Sequence, residues 1–306
     1  MTSQFDVAHI ESATITTDVS EKILAILERA ADQDGTAPLS EQAVKAVSSD
    51  SGVGHLVAVA GDRIVGYAGT TPRTQDNPPM AEAVVDPEFR NAGTGRKLVD
   101  RALADGGDGT RIWAHGNLEP ARAVAAALEL SIARELLQMR RPLAEPELPD
   151  VVVPEGISLR TYRGHQDDDE LLRVNNAAFS WHPEQGGWTE KDIAERRAED
   201  WFDPAGLFLA FEEGTDTLLG FHWTKVHAAA AGEDDIGEVY VVGIDPGAQG
   251  RGLGRVLTLA GLHYLRGREL GSVLLYVEAD NTAAVHTYTR LGFTSYHVDA
   301  AYSRKG

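Results

Sequence analysis

The residues best suited to chemistry crowd into one short stretch, "DPGAQGRGLGR" (Asp245 to Arg255), which sets four glycines and two arginines directly after the apolar run "VYVVGI". A strand that opens into bare backbone just before a helix leaves unpaired N–H groups at the positive end of the helix dipole, and that arrangement binds phosphate. Gly252 and Gly254 carry no side chain to hold a pyrophosphate away from the main chain. Arg251 and Arg255 can add charge-assisted bonds. The P-loop ending Gly-Lys-Ser/Thr is absent, and the dinucleotide fingerprint fails because Gly252-Leu253-Gly254 is followed by Arg-Val-Leu. The pattern that fits is Q/R-x-x-G-x-G/A, filled by Gln249, Gly252 and Gly254. A fainter copy, "DPEFRNAGTGR", fills it upstream with Arg90, Gly93 and Gly95.

Such loops need a strand before them and a helix after them, and both halves of the chain supply these in the same order. The first half reads as the helix "SEKILAILERAADQDG", capped by Ser20 and ended by Gly35. The strands "HLVAVAG", "RIVGYAGTT" and "AEAVVDP" follow, then the loop, the helix "GRKLVDRALADG", the strand "RIWAHGN" and the helix "PARAVAAALEL". The second half repeats this with the helix "DDDELLRVNNAAF", the strands "LFLAFEE", "LLGFHWTKVH" and "GEVYVVGIDP", then the loop and the helix "GRVLTLAGLHYLRGREL". The strand "LLYVEAD", the helix "TAAVHTYTRLGF" and a closing strand "TSYHVDAAYS" complete it. The mixture of hairpin and crossover connections predicts an α/β (α+β) fold, with two mixed, largely antiparallel sheets flanked by helices. The expected division is 1–140, a proline-rich extended linker at 141–156, and 157–306.

Composition narrows the partners. Lys plus Arg number 28 against 47 for Asp plus Glu among 306 residues, a net charge of −19. That balance repels nucleic acid and anionic membrane surfaces; a solvated acidic surface is its commoner cause, and it suits a cationic small substrate. The absence of cysteine rules out disulfides, thiolate metal sites and a cysteine nucleophile. No metal cluster is expected. With no signal-like start and no apolar run near the roughly 20 residues of a membrane span, a cytoplasmic monomer is expected.

Taken with its context, the loop resembles that of the GNAT acetyltransferase superfamily, where it grips the pyrophosphate of coenzyme A. The context is "EVYVVGIDP" before it, a long helix after it, and "VEADNTAAVHTYTRLGF" downstream. The resemblance implies two tandem GNAT-like domains and acetyl-CoA as cosubstrate. Direct transfer of an acetyl group needs a base that deprotonates the incoming ammonium and an acid for the departing thiolate. Glu238, at the start of "EVYVVGI", suits the base and Tyr288 the acid; backbone N–H groups of Val242 to Ile244 can polarise the thioester carbonyl. Period-2 alternation puts Glu238 on one face with Tyr240 and Val242. Aligned on the two Asp-Pro pairs, the first half offers Pro79 for Glu238, and its helix offers Ala125 for Tyr288. One working site is expected, in the second half.

Longer strings narrow the likeness. "RVNNAAFSWHPEQGGWT", "WFDPAGL", "LLGFHWTKVH", "RIWAHGNLEPARA" and "ELLQMRRPL" resemble the mycothiol synthase family, tandem GNAT enzymes that acetylate the cysteinyl amine of Cys-GlcN-Ins. Carried over by position, that resemblance implies substrate contacts at Glu41, Glu184, Lys225, Glu238 and Tyr276. The coenzyme contacts it implies in the second half are Val242, Gly243, Ile244, Gln249, Gly250, Arg251, Gly252, Leu253, Gly254, Arg255, Asn281, Thr282, Ala283, Ala284, Val285 and His286. In the first half they are Ala83, Val84, Val85, Arg90, Asn91, Ala92, Gly93, Thr94 and Gly95. Gly250 and His286 stand where the family pattern has arginine. If Glu41 reaches the acceptor, the two halves must face one another across it. Trp181 and Trp188 could wall a sugar site or belong to the core. An acetyltransferase for another small amine or a protein N-terminus, and a non-catalytic coenzyme A sensor, remain the alternatives.

Overall fold

The computed structural model describes residues 8–48, 52–74, 77–180, 185–228 and 234–305. Contacts divide the chain into one unit of Met1–Leu136 with His297–Gly306 and another of Leu137–Tyr296. The division thus falls ahead of the seam expected at 141–156. That proline-rich segment belongs to the second unit, because Leu143 and Leu148 are buried in its core.

In the first unit, strands β1 (His9–Ser12), β2 (Gly54–Ala60), β3 (Arg63–Thr71), β4 (Met80–Val85) and β5 (Arg111–Ala114) lie side by side in chain order. The first four are antiparallel and β5 is parallel to β4. Residues 300–303, near the end of the chain, pair antiparallel with β5. Helices α1 (Thr17–Asp34) and α2 (Glu41–Ala46) pack on one face, α3 (Thr94–Gly106) and α4 (Glu119–Ala127) on the other. Apolar residues at helical spacing, Ile23, Ile26, Leu27 and Ala30, turn α1 toward the sheet. Its cap is Thr16, whose hydroxyl accepts from the Val19 N–H; Ser20, the expected cap, is buried inside the helix. Gly35 ends it in the left-handed conformation, as its position predicts.

The second unit has strand order β6-β11-β10-β9-β8-β7, with β6 (Ser131–Pro142), β7 (Ile157–Thr161), β8 (Leu207–Glu212), β9 (Leu218–His227), β10 (Ile236–Ile244) and β11 (Ser272–Glu278). The chain's last strand is β12 (Thr294–Ser303). Strands β7 to β10 are antiparallel, and β11 runs parallel to β10. Helices α5 (Asp168–Ala178) and α6 (Glu190–Arg197) cover one face. Helices α7 (Leu253–Gly267) and α8 (Thr282–Arg290) cover the other. Helix α7 buries Leu253, Val256, Leu257, Leu259, Leu262 and Leu265. At roughly 1.5–3 kcal/mol for each large apolar side chain, it is a firm base for the loop that precedes it.

Candidate active site

Both glycine loops adopt the same backbone. Gly250 and Gly252 have φ of 78° and 77°, and Asn91 and Gly93 have 63° and 79°. Each loop is folded by its aspartate: Asp245 accepts from Gly247 N at 2.8 Å, and Asp86 from Glu88 N at 3.2 Å. Neither α7 nor α3 carries a side-chain cap, so their first N–H groups stay available to an anion. A Cβ at Gly252 or Gly254 would meet nothing within 4 Å. The approach to those amides is open, as an anion such as a pyrophosphate would need. Leu253 is buried and presents only backbone there.

The side chains around the loops differ. Arg251 and Arg255 are exposed beside the second loop. In the first, Ala92 takes the place of Arg251, and Arg90 is bound bidentately to Asp34 at 2.7 and 2.8 Å. Val84 and Thr94 are buried, Ala83, Val85 and Gly95 half-buried. At the start of α8, the Asn281 side chain accepts from Ala284 N at 3.2 Å and so caps the helix. Thr282, Ala283 and His286 are exposed, whereas Ala284 and Val285 pack against the core.

Strand β10 decides which groups meet. Its ladder to β9 shifts register between Val239 and Val241, a bulge that makes Tyr240 the extra residue. Before the bulge Glu238 pairs with Lys225, and after it Val241 pairs with Trp223 and Val242 with His222. Val241 therefore shares the face of Glu238, while Val242 packs on the α7 side with Val239. Strict alternation had put Val242 with Glu238, and the extra residue overturns that. On the other side, the ladder to β11 covers Gly237–Val239 against Val273–Leu275. Gly243 packs so closely on Phe221 that an added Cβ would sit 2.5 Å from its ring.

Lys225, Glu238 and Tyr276 share the α5–α6 face of the sheet, because Leu274 pairs with Glu238 and Tyr276 lies two residues on. Glu238 is buried, only 7% exposed. Among the described residues its carboxyl group makes one hydrogen bond, with His227 Nε2 at 2.6 Å, and the tautomer of the ring sets which of the two donates. The Lys225 ammonium lies 5.0 Å from the Trp201 ring and 5.6 Å from that of Tyr240, held by cation–π attraction. The hydroxyl of exposed Tyr276 accepts from Gln138 Nε2 at 2.9 Å. Tyr288 packs on the opposite, α7 side with its ring 5.7 Å from Phe293, and burial pushes its hydroxyl up to about 12. The phenol is thus protonated at neutral pH, as an acid must be.

Glu41 is the exposed first residue of α2, whose cap is Ser40. Glu184 and Trp181 fall outside the described residues, and Trp188 is a core residue, 5% exposed. Sequence reasoning missed His227, although an aromatic strand ending "KVH" beside the strand of Glu238 held the signal.

The first unit fills its matching position differently. Its β3–β4 ladder has no shift, and Met80 pairs with Thr71 as Glu238 does with Lys225. Met80, not Pro79, is the true counterpart of Glu238, since the bulge adds one residue to β10. Glu82, on that face, accepts from Ser40 N at 2.6 Å, Ser40 Oγ at 2.7 Å and His115 Nε2 at 3.0 Å. The other nitrogen of His115 lies 3.7 Å from Asp299. Burial would lower the imidazole, but the Asp299 carboxylate beside it and the hydrogen bond to Glu82 outweigh that and push it up to about 9.

Comparisons with known proteins agree with this geometry. The family model for "Acetyltransferase (GNAT) family" matches residues 173–293, and that for "Acetyltransferase (GNAT) domain" matches 51–128. The mycothiol acetyltransferase of Rhodococcus jostii is 64% identical over 92% of this chain and 93% of its own. The chain belongs to the mycothiol acetyltransferase family. The Rhodococcus erythropolis relative of the same name is 60% identical over 93% of this chain and 96% of its own. The one from Mycolicibacterium smegmatis is 55% identical over 92% and 94%. Membership makes the chain an acetyl-CoA-dependent N-acetyltransferase. Among solved structures, a GCN5-related N-acetyltransferase from Sphaerobacter thermophilus superposes at TM-score 0.69, covering 97% of this chain and 95% of its own at 22% identity. A tandem GNAT protein of the clavulanic acid pathway superposes at 0.64, covering 98% and 100% at 18% identity. Both share the tandem fold.

Proposed function

We propose that the second unit transfers the acetyl group of acetyl-CoA to the cysteinyl amine of Cys-GlcN-Ins. The supporting observation is that Glu238 and Tyr288 lie on opposite faces of the sheet near the bulge that β10 makes against β9, on the strand that leads into an open phosphate loop. The amides of Gly252 to Arg255 and the exposed Arg251 and Arg255 hold the pyrophosphate. The backbone of Val242 to Ile244 polarises the thioester carbonyl. Glu238 takes a proton from the ammonium, the freed nitrogen attacks the carbonyl carbon, and Tyr288 gives its proton to the leaving thiolate. Lys225 and Tyr276, on the face of Glu238, bond the acceptor's hydroxyls. The first unit keeps the loop as a coenzyme-binding scaffold without chemistry, with Met80 and Ala125 where the second has Glu238 and Tyr288.

Release of free coenzyme A from acetyl-CoA, with Cys-GlcN-Ins beside simpler amines, tests the reading. Rapid turnover on Cys-GlcN-Ins alone is expected. Turnover only on other amines would refute the acceptor, and tight acetyl-CoA binding without turnover would favour a sensor.

A further inference from the structure

A carboxylate that takes a proton from each incoming amine must hand it on before the next turnover. Glu238 is buried and does not line the open depression of about 620 Å³ beside it; His227 does, with Lys225, Asp200 and Asp235. The His227 side chain is 38% exposed, yet its Nε2 lies 2.6 Å from Glu238 Oε2. It sits diagonal to Glu238 across the β9–β10 ladder, where His227 pairs with Ile236 and Lys225 with Glu238, a separation a side chain can span.

We infer that His227 relays the proton of Glu238 to solvent in the depression. The inference rests on the acetyl-transfer reading of Glu238. Protonated Glu238 breaks its O–H bond as an N–H bond forms at His227 Nε2. The imidazolium, whose side chain is 38% exposed, turns to the depression and yields that Nε2 proton to water or buffer, which restores the Nδ1–H tautomer with Nε2 free to accept again. Nothing is oxidised or reduced. The internal repeat supports the pairing of the two groups. Continuing the β3–β9 correspondence two residues past Thr71 and Lys225 sets Arg73 against His227, while Met80 stands for Glu238. Arg73 instead donates to the carbonyl of Asp108 at 2.8 Å. The positions that hold carboxylate and imidazole in the second unit therefore hold neither in the first, where Glu82 and His115 pair from other positions. His227 is a positioning and relay residue, since it acts through Glu238.

The test uses the full chain, acetyl-CoA and Cys-GlcN-Ins, with His227→Ala and His227→Gln checked for folding by thermal melts. Expected is a fall in kcat of about 10- to 100-fold in both variants, with KM for acetyl-CoA unchanged. Added imidazole should restore the alanine variant at least about five-fold, by supplying the missing base at an exposed site. The glutamine variant, which can donate to Glu238 but cannot carry a proton, should stay slow. Wild-type kcat in the glutamine variant would overturn the relay, as would a folded alanine variant within about two-fold of wild type or one that imidazole does not rescue. If the wild type rejects Cys-GlcN-Ins but accepts another amine, the acceptor reading fails, and the variants decide the relay on that amine. If it turns over no amine, both fail.

Discussion

Strands β4 and β10 lead into loops of the same backbone, yet the side chains gathered beside the two strands are arranged differently. Strand β4 holds its register with β3 throughout, whereas β10 gains one residue at Tyr240. That residue turns Val241 toward the face of Glu238 and Val242 toward α7. The matching face in the first unit is closed by Glu82, His115, Ser40 and Asp299, hydrogen-bonded or ion-paired to one another. On the proposed reading a phosphate loop survives duplication without its chemistry, because the loop is local backbone and the chemistry depends on groups that neighbouring strands supply.

The largest effect expected is on the second unit's acid and base. Tyr288→Phe keeps the ring packing on Phe293 and removes the phenolic proton, so kcat should fall about 10²- to 10⁴-fold with the melting temperature unchanged. Glu238→Gln should act similarly, while Met80→Leu in the first unit should leave kcat at the wild-type value. Steady-state coenzyme A release reads all three. Because burial holds the Tyr288 hydroxyl at about 12, kcat should show no loss from this group until pH nears that value. Comparable damage from both units would erase the asymmetry.

His115→Gln should do the reverse, leaving acetyl transfer intact and weakening the first unit by about 3 kcal/mol, the cost of unpairing a buried ion pair. The folded state raises the imidazole from 6.5 to about 9, so its contribution is present in full below about pH 6.5 and lost as pH rises through about 9. Glu82 and Asp299 are held low, burial being outweighed by the His115 imidazole beside them, so their share is lost as pH falls below ordinary carboxylate values of 4.5 and 3.8. Urea melts of wild type and variant should differ most between about pH 4.5 and 6.5 and converge above about 9.

The smallest effect sharpens the comparison of the loops. Gly254→Ala adds a Cβ with no protein atom within 4 Å, so stability should hold while KM for acetyl-CoA rises about ten-fold, or about 1.4 kcal/mol. Gly95→Ala adds ordinary contacts to Val85 and Val124 at 3.6 and 3.7 Å and should leave KM alone. An equal rise in both would show that the first loop also takes part in turnover.

Much of this was legible in the sequence. Caps, left-handed glycines and apolar spacing are decided within a few residues, which is why Gly35, the two loops, α7 and the Ser40 cap stand where the residue types place them. The same locality misled at Ser20, where Thr16 captures the helix start. At "SIARELLQMRRP", which has no element assigned from the sequence, good helix formers form β6 against β11 because tertiary pairing overrides weak propensity.

The sequence alone determined the duplicated unit and the glycine loops, and it singled out Glu238 and Tyr288 as the proposed pair, since each rests on short-range backbone chemistry or on a likeness of neighbouring residues. Tertiary structure alone decided the bulge at Tyr240, Met80 as the counterpart of Glu238, the closed Glu82–His115–Asp299 cluster, and the hydrogen bond between His227 and Glu238. Those depend on hydrogen-bond register between strands distant in the chain, and a one-residue shift in register sends every following side chain to the other face.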